Sequence, residues 1–475
     1  MQKFDLIVIG GGSGLDVASA MAQHGLKVAI IEKDRLGGTC LNRGCIPSKL
    51  LIHSADIAET IRNAEVFGIK INNGYSVDFG KIMARVNGIT DSDSDSIKKD
   101  LLQTDNPKLF TKECKFVGKK EIAFYTEEEE KNDYKPDEII TAEKIVIATG
   151  TRPNIPKIKG LEEGVFITSN EALRLKKQPN SLTFIGGGYI ACELAHFFGS
   201  LGTKINIIQR NNVLIPNEDE EISQKFTEVF SKKYNVFLGY EMDSVTKNSM
   251  NDGNDDDEVT FHLTANNKSG KKIELDTDKV LVSAGRVPNT SSLELEKTGV
   301  KTSEKGFIEV DEYLETTSKG IFALGDVVGR YQLKHNANLE AKYAYGNIIN
   351  YDEKRQVDYT AMPHAVFSSP QVAGVGFTEQ ELRKKGIGYL KSTYPYIQTG
   401  MGEAIQDKDG FVKFLVNKND RKILGCHIIG TDASVLIHEV IISMRTGDGT
   451  IASIANTVHI HPALSEVVSR AASSI

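Results

Sequence analysis

The stretch FDLIVIGGGSGLDVASAMAQHGLKVAIIEK, residues 4 to 33, joins an apolar run, three consecutive glycines, an amphipathic segment and a second apolar run that closes on Glu32. A short apolar run bounded by glycine predicts a buried strand, and the apolar spacing in DVASAMAQHG predicts a helix that packs by one face. Strand, glycine turn, helix and strand in that order make a mononucleotide-binding βαβ unit. Gly10 and Gly12 permit a tight turn and let the backbone approach a pyrophosphate at the helix N-terminus, with Ser13 and Gly14 in the same turn. Glu32, twenty residues beyond Gly12 and followed by Lys33, is placed to accept from both ribose hydroxyls. Leu15 stands where the fingerprint has its third glycine, which predicts slightly wider packing of the helix on the strand.

Residues 182 to 210, LTFIGGGYIACELAHFFGSLGTKINIIQR, repeat the device. A lone glycine fingerprint is weak evidence, but two copies in strand, turn and helix context predict two dinucleotide sites in one chain. In the second copy Gly186 and Gly188 are in place, Tyr189 and Ile190 open the helix, and Ala191 takes the third position. Its second strand ends on Gln209 and Arg210, where an NAD site usually presents a carboxylate. A carboxylate would repel a 2′-phosphate and a guanidinium can bind one, so this site leans towards NADPH; the bland alternative is that Arg210 is a surface residue after a strand.

Just downstream of the first fingerprint lies GGTCLNRGCIPSK, residues 37 to 49, with four residues between Cys40 and Cys45. In a regular helix residues five apart are separated by about 7.5 Å of rise and roughly 140° of rotation, whereas a disulfide wants its Cα atoms about 5.5 Å apart. The helix must therefore be distorted, and Gly44 and Pro47 supply the means. The pair reads as a redox-active disulfide set against a flavin. Three further segments are apolar strands ending in glycine: KIVIATGTRP (144 to 153), KVLVSAGRVPN (279 to 289) and GIFALGDVVG (320 to 329). Such ends lie where a sheet's carboxyl edge meets a ligand, which brings Ala148, Thr149, Gly150, Gly285 and Gly325 to the cofactors and lets Asp326 accept from polyol hydroxyls.

The chain has 475 residues, enough for about three domains, and a net charge of −7. With a pI of 5.9 it offers no basic face for nucleic acid. The acidic runs 127–130 and 255–258 read as solvated loops or hairpin tips. No charged-then-apolar leader and no bilayer-spanning run is seen, so a soluble cytoplasmic protein is expected. Five cysteines, three of them scattered (Cys114, Cys192, Cys426), do not form a secreted disulfide framework; in a reducing compartment a close pair is catalytic or metal-binding. A structural zinc would need more Cys or His near Cys40 and Cys45, and none is there, so no metal is expected. From about residue 351 alternating strand patterns (AVFSSPQVAGVGF, FVKFLV, KILGCHIIG) are separated by helices, ending in TVHIHPALSEVVSRAA. His461 precedes Pro462 ahead of a helix, with Pro462 suited to its first turn and Glu466 one turn in, where a carboxylate would fix the imidazole tautomer and raise its basicity. A lone histidine is more often structural, and His459, with no such context, is read that way.

With these motifs in hand the chain resembles, from the first strand to the last helix, the class I flavin-dependent pyridine-nucleotide disulfide oxidoreductases. CLNRGCIPSK looks most like the dihydrolipoyl dehydrogenases of that family, while YQLKHNANLEA, MPHAVFSSPQVAGVGFTE and HIHPALSEVV also resemble the mycothione reductases. The resemblance implies that Cys40 is the interchange thiol that meets substrate and Cys45 the thiol beside FAD. It makes Lys49 and Glu193 an ion pair near the flavin, Tyr189 the aromatic covering the nicotinamide pocket, Asp326 the ribityl contact, and Gly38 and Thr39 cofactor neighbours. His461 and Glu466 become the acid–base dyad, contributed by the partner subunit of a homodimer. The implied reaction is oxidation of dihydrolipoamide, on a separate lipoyl carrier or free, with hydride passed to NAD or NADP; run backwards it reduces a disulfide. The alternative within the family is an NADPH-dependent reductase of a small disulfide, favoured by Gln209, Arg210, Ala191 and the C-terminal half. A mercuric reductase would carry a vicinal cysteine pair near its C-terminus, where this chain reads AASSI, and an inactive flavoprotein subunit would not need Cys40, Cys45, His461 and Glu466.

The expected fold is α/β, with two Rossmann-like (doubly wound, three-layer) dinucleotide-binding domains and an α+β dimerisation domain. The boundaries read as 1–150 for FAD, 151–284 for NAD(P), 285–350 returning to the FAD domain, and 351–475 for dimerisation.

Overall fold

The computed structural model describes residues 1–72, 74–125, 138–248 and 260–475; the acidic runs 127–130 and 255–258 lie outside the described residues. The described chain forms two compact units, one from residues 1–48, 83–154 and 285–358, the other from 49–82, 155–284 and 359–475.

In the first unit five strands run parallel in the order Lys108–Phe110, Val28–Ile31, Gln2–Ile9, Ile139–Ile147, Ile321–Ala323. Numbered along the chain this is 3-2-1-4-5, the doubly wound pattern in which ligands meet the carboxyl ends of the strands. The run FDLIVIG is apolar at nearly every position because both faces of its strand are covered. Leu6 and Val8 pack with Val17, Ala18 and Met21 of helix Gly14–Gln23 and with Ala341 and Ala344 of helix Lys334–Ile349. Ile7 and Ile9 point the other way, to Ile145, Ile147, Phe116 and Ile122.

Gly10 ends that strand with φ +114°, and a Cβ there would sit 2.3 Å from the carbonyl oxygen of Ala148. Gly10→Ala is therefore expected to destabilise the protein by about 2 kcal/mol or more, read as a fall in the thermal midpoint; an unchanged midpoint would contradict the strand–strand approach described here. The close packing that the fingerprint assigns to its third glycine is supplied one residue earlier. A Cβ on Gly14 would lie 2.8 Å from Val8 Cγ1, whereas Leu15 is half-buried and joins the apolar cluster.

The second unit holds a parallel sheet in the order Asn235–Leu238, Lys204–Gln209, Ser181–Ile185, Lys279–Val282, again 3-2-1-4 along the chain. Ile185, Ile208, Val280 and Val282 pack against Val245, Phe261 and Leu263 of an antiparallel three-stranded sheet. A five-stranded antiparallel sheet spans the C-terminal segment, from Pro363–Val366 through Gln371–Gly376, Ile423–Gly430 and Phe411–Asn417 to Tyr389–Pro395. Its apolar face, including Val375, Val412, Phe414 and Ile428, is covered by Leu436, Ile437 and Val440 of helix Ala433–Arg445 and by Val467, Val468 and Ala471 of helix Glu466–Ser473. Two doubly wound sheets and an α+β C-terminal segment are thus the class expected from the sequence. No helix among the described residues is long and apolar enough to cross a membrane.

Candidate active site

The first glycine turn and the thiol stretch meet within the first unit. Gly37 and Gly38 both have positive φ, Gly37 N donates to Gly11 O at 2.8 Å, and a Cβ on Gly38 would come within 2.7 Å of Gly12 Cα. Gly38–Arg43 then forms one short helix carrying Thr39 and Cys40, and a second helix, Cys45–Asn63, begins on the other cysteine. The break falls on Gly44, where a Cβ would lie 2.8 Å from the carbonyl oxygen of Thr39, so a side chain has no room. Cys40 is half-buried and Cys45 exposed. The helix that was expected to be distorted is in fact divided in two.

The turn itself is shaped for a diphosphate. Helix Gly14–Gln23 starts after Ser13 without a side-chain cap, while Leu15 N and Asp16 N donate to the Gly12 and Ser13 carbonyls at 3.1 and 3.3 Å and so shape the turn. Ser13 Oγ instead accepts from Lys334 Nζ at 2.8 Å and donates to Asn338 Oδ1 at 3.2 Å. Glu32 stands at the strand end, and one of its oxygens accepts from Gly11 N at 2.6 Å and the other from Asp34 N at 2.8 Å, so the carboxylate braces the turn. Lys33 pairs with Glu113, away from the turn. Gly150 and Gly285 both have positive φ, and a Cβ on either would meet nothing within 4 Å, consistent with open space beside the carboxyl edge. Ala148 N donates to Ile9 O at 2.8 Å and Thr149 Oγ1 to Asn289 O at 2.9 Å, which ties this edge together. Gly325 N donates to the buried Glu340 at 2.6 Å, and Asp326 Oδ2 accepts from Thr151 Oγ1 at 3.0 Å. Burial pushes the Asp326 carboxyl up, only partly offset by the Arg286 guanidinium and the Thr151 hydroxyl. The glycine cradle, the uncapped helix and Asp326 fit a flavin dinucleotide.

In the second unit the same geometry recurs. Gly186 has φ +107° with a Cβ position 2.6 Å from Ser283 O, and helix Tyr189–Ser200 starts after Gly188, uncapped and with open space at its α-carbon. Ile190 and Ala191 follow in its first turn. Gln209 takes the place that Glu32 has in the first copy: a Cβ on Gly187 would lie 3.3 Å from Gln209 Cβ, as one on Gly11 would lie 3.0 Å from Glu32 Cγ. A neutral amide thus replaces the carboxylate, and the exposed Arg210 follows it.

On the same helix Glu193, buried, receives Lys49 Nζ at 2.7 Å and Phe367 N at 3.0 Å, with the ammonium 4.7 Å from the Phe367 ring centre. Lys49 lies one helical turn beyond Cys45 in Cys45–Asn63. Further along these two helices His196 Nε2 is 2.8 Å from Asp56 Oδ1 and Arg62 donates to Ser200 O at 2.6 Å, a polar seam that holds Lys49 against Glu193.

His461 Nδ1 lies 3.0 Å from Glu466 Oε1. A carboxylate only accepts, so Nδ1 carries the hydrogen and Nε2 of the neutral ring bears the lone pair. The His461 side chain is 74% exposed and Glu466 only 11%. The hydrogen bond from His461 holds the Glu466 carboxyl below its ordinary range, against a smaller opposing effect of burial. Pro462 is in the turn ahead of the helix rather than in its first turn, because Glu466 itself begins Glu466–Ser473. His459, read as structural, is held by Glu439 at 3.0 Å and by the Thr457 carbonyl at 3.0 Å.

Sequence reading missed the support under Tyr189. Its hydroxyl donates to Glu218, which also meets His364, and the neighbouring Asp219 accepts from the fully buried Lys413 at 2.8 Å. Lys413 also donates to Glu379 at 2.6 Å, and although burial pushes that carboxyl up, Lys413 and Tyr389 bring it down from 4.5 to about 2. A depressed carboxyl stabilises the fold above its unfolded value and loses that contribution as it is protonated. The thermal midpoint of the wild type should therefore exceed that of Glu379→Gln at neutral pH, the gap closing as pH falls through about 4.5 towards about 2; a gap independent of pH would contradict the pairing.

Two glycine turns at strand ends, with a cysteine-bearing pair of helices that starts against the first of them, fit a nucleotide-dependent thiol redox protein. Residues 4–341 match the pyridine nucleotide-disulphide oxidoreductase family and 362–472 its dimerisation domain. The chain belongs to that family, and as a member it is an oxidoreductase that uses FAD and NAD(P). It is 34% identical to a dihydrolipoyl dehydrogenase of Chlamydia muridarum over 98% of this chain and 95% of that one. It is 37% identical to the mitochondrial dihydrolipoyl dehydrogenase of Dictyostelium discoideum over 99% of this chain and 94% of that one. A mercuric reductase of Staphylococcus aureus matches at 31% identity over 94% of this chain and 77% of its own. Among solved structures, the Cu(II) complex of the HOCl-induced flavoprotein disulfide reductase RclA of Escherichia coli superposes with a TM-score of 0.85 at 25% identity, covering 100% of both chains.

Proposed function

We propose that this protein is a dihydrolipoyl dehydrogenase: it oxidises dihydrolipoamide to lipoamide through a Cys40–Cys45 disulfide and passes the electrons to NAD(P)+. The observation that carries the reading is the divided helix, which carries Cys40 in one short segment and sets Cys45 at the start of the next, beside the first glycine turn. The full-length likeness to dihydrolipoyl dehydrogenases supports the choice of substrate.

His461 Nε2 takes a proton from one thiol of the substrate while Glu466 holds Nδ1. The thiolate attacks Cys40 Sγ, breaking the Cys40–Cys45 bond and releasing Cys45 as thiolate. The second substrate thiol then closes on the first sulfur, expelling Cys40 as the second leaving thiolate and taking the two-electron oxidation into the substrate disulfide. His461 gives the first proton to the departing Cys40 and takes the proton of the second substrate thiol, so that one proton ends on Cys40 and one on the imidazole while Cys45 stays a thiolate. FAD, when bound, supplies electron transfer between this dithiol and the nicotinamide. Residues 1–150 and 285–350 are read as the flavin domain, 151–284 as the NAD(P) domain and 351–475 as the interface of a homodimer. The exposure of His461 favours its acting on the thiols of the partner subunit.

A second reading, an NADPH-dependent reductase of a small disulfide, is favoured by Gln209 and Arg210 at the place of a ribose-binding carboxylate. Steady-state oxidation of dihydrolipoamide by the FAD-loaded protein, with NAD+ and NADP+ in parallel, separates the two. Fast turnover with either nucleotide supports the dehydrogenase. Negligible turnover in a protein that NADPH still reduces overturns it in favour of the reductase.

A further inference from the structure

Tyr189 is the first residue of the helix that follows the second glycine turn, and its hydroxyl is not left to solvent. It donates to Glu218 Oε1, and Glu218 Oε2 lies 2.8 Å from His364 Nε2. Glu218 is 1% exposed and comes from the loop after the second fingerprint, whereas His364 comes from strand Pro363–Val366. The Tyr189 and His364 rings are nearly parallel, 8° apart in plane, with centres 6.5 Å apart. Burial pushes the Glu218 carboxyl up, but the His364 imidazole and the Tyr189 hydroxyl outweigh it and hold the group below its ordinary range. His364 is raised in turn, burial notwithstanding, by the Glu218 charge.

The surroundings are built to hold this pair. Gly374 lies opposite His364 on one side and opposite His427 on the other, and a Cβ there would be 2.7 Å from His364 Nε2 and 3.0 Å from His427 Nδ1. The glycine makes the space that the His364 ring occupies. His427, fully buried and kept neutral by that burial, donates from Nε2 to Phe377 O at 2.9 Å. Asp219, the next residue after Glu218, is tied to Lys413 and to Glu379 N, so the loop cannot drift.

We propose that Glu218 and His364 are positioning residues for Tyr189: a buried carboxylate–imidazole pair that fixes the tyrosine ring at the mouth of the second dinucleotide turn before a nicotinamide nucleotide arrives. The proposal rests on reading that turn as the NAD(P) site. A ring fixed in advance is not ordered on binding, and releasing it should weaken binding by about three- to tenfold.

The test is the calorimetric Kd of NAD+ and NADP+ for the FAD-loaded protein and for Glu218→Gln, His364→Gln, Tyr189→Phe, Tyr189→Ala and the double variant Tyr189→Phe with His364→Gln. Glu218→Gln keeps the shape and leaves no buried unpaired charge, so it stays informative if His364→Gln fails to fold. Expected are a three- to tenfold rise in Kd for Glu218→Gln and for His364→Gln, and less than a twofold further rise when His364→Gln is added to Tyr189→Phe, since the action passes through the hydroxyl. An unchanged Kd in Glu218→Gln and His364→Gln while Tyr189→Ala raises it overturns the proposal and leaves the site reading standing. The full His364→Gln effect persisting in the Tyr189→Phe background overturns it too. No change on Tyr189→Ala overturns the placement of Tyr189 at the site, and the proposal with it.

Discussion

Cys45→Ser is expected to lose turnover with dihydrolipoamide to background level and, on two-electron reduction, to lack the long-wavelength absorbance band of a thiolate beside an oxidised flavin. Cys45 begins the helix Cys45–Asn63, where N-terminal N–H groups and the helix dipole favour a thiolate. Serine keeps the size and the hydrogen-bonding capacity but cannot form the disulfide with Cys40 or present a thiolate. Cys40→Ser serves as its counterpart: it should lose turnover equally while keeping the band, because Cys45 remains. Anaerobic spectra of the two variants during reductive titration check this. A long-wavelength band in Cys45→Ser would reverse the roles assigned to the two cysteines.

The second large effect is at His461. Removing a positioned general base costs about 10²- to 10⁴-fold, and His461→Gln should lower kcat for dihydrolipoamide by that range. The loss is confined to the thiol half of the reaction, so reduction of the holoenzyme by NAD(P)H, followed by stopped flow, should be unchanged. Glu466→Gln should cost less, since the imidazole keeps its place in the turn and loses only the carboxylate that holds Nδ1–H. A His461→Gln enzyme with wild-type kcat would remove this residue from the mechanism.

The two parallel sheets were legible because their central strands, Gln2–Ile9, Ile139–Ile147 and Ser181–Ile185, are apolar runs followed within three residues by glycine, a signal carried by neighbours in the chain. So was the interruption between Cys40 and Cys45, since helix geometry forbids the pairing without one, and Gly44 stood where it had to fall. What escaped has a different character. Gly14, and not position 15, provides the close approach to Val8, a choice set by the helix's rotation on the sheet rather than by motif spacing. Lys33, next to the turn-bracing Glu32, is drawn to Glu113. Glu218 and His364 meet although they are 146 positions apart, and nothing periodic links NEDEE to MPHAV. Polar partnerships made by folding leave no pattern in the local sequence, which is why the Glu218–His364 pair could not be read from it.

The most direct test of the central claim is a map of the cysteines by mass spectrometry. The oxidised FAD-loaded protein is denatured in excess alkylating agent and digested, and the same is done after anaerobic reduction with dihydrolipoamide. The account predicts a Cys40–Cys45 linked peptide in the first sample with Cys114, Cys192 and Cys426 alkylated, and all five cysteines alkylated in the second. Five alkylated cysteines before reduction, or a Cys40–Cys45 link that dihydrolipoamide leaves intact, would contradict it.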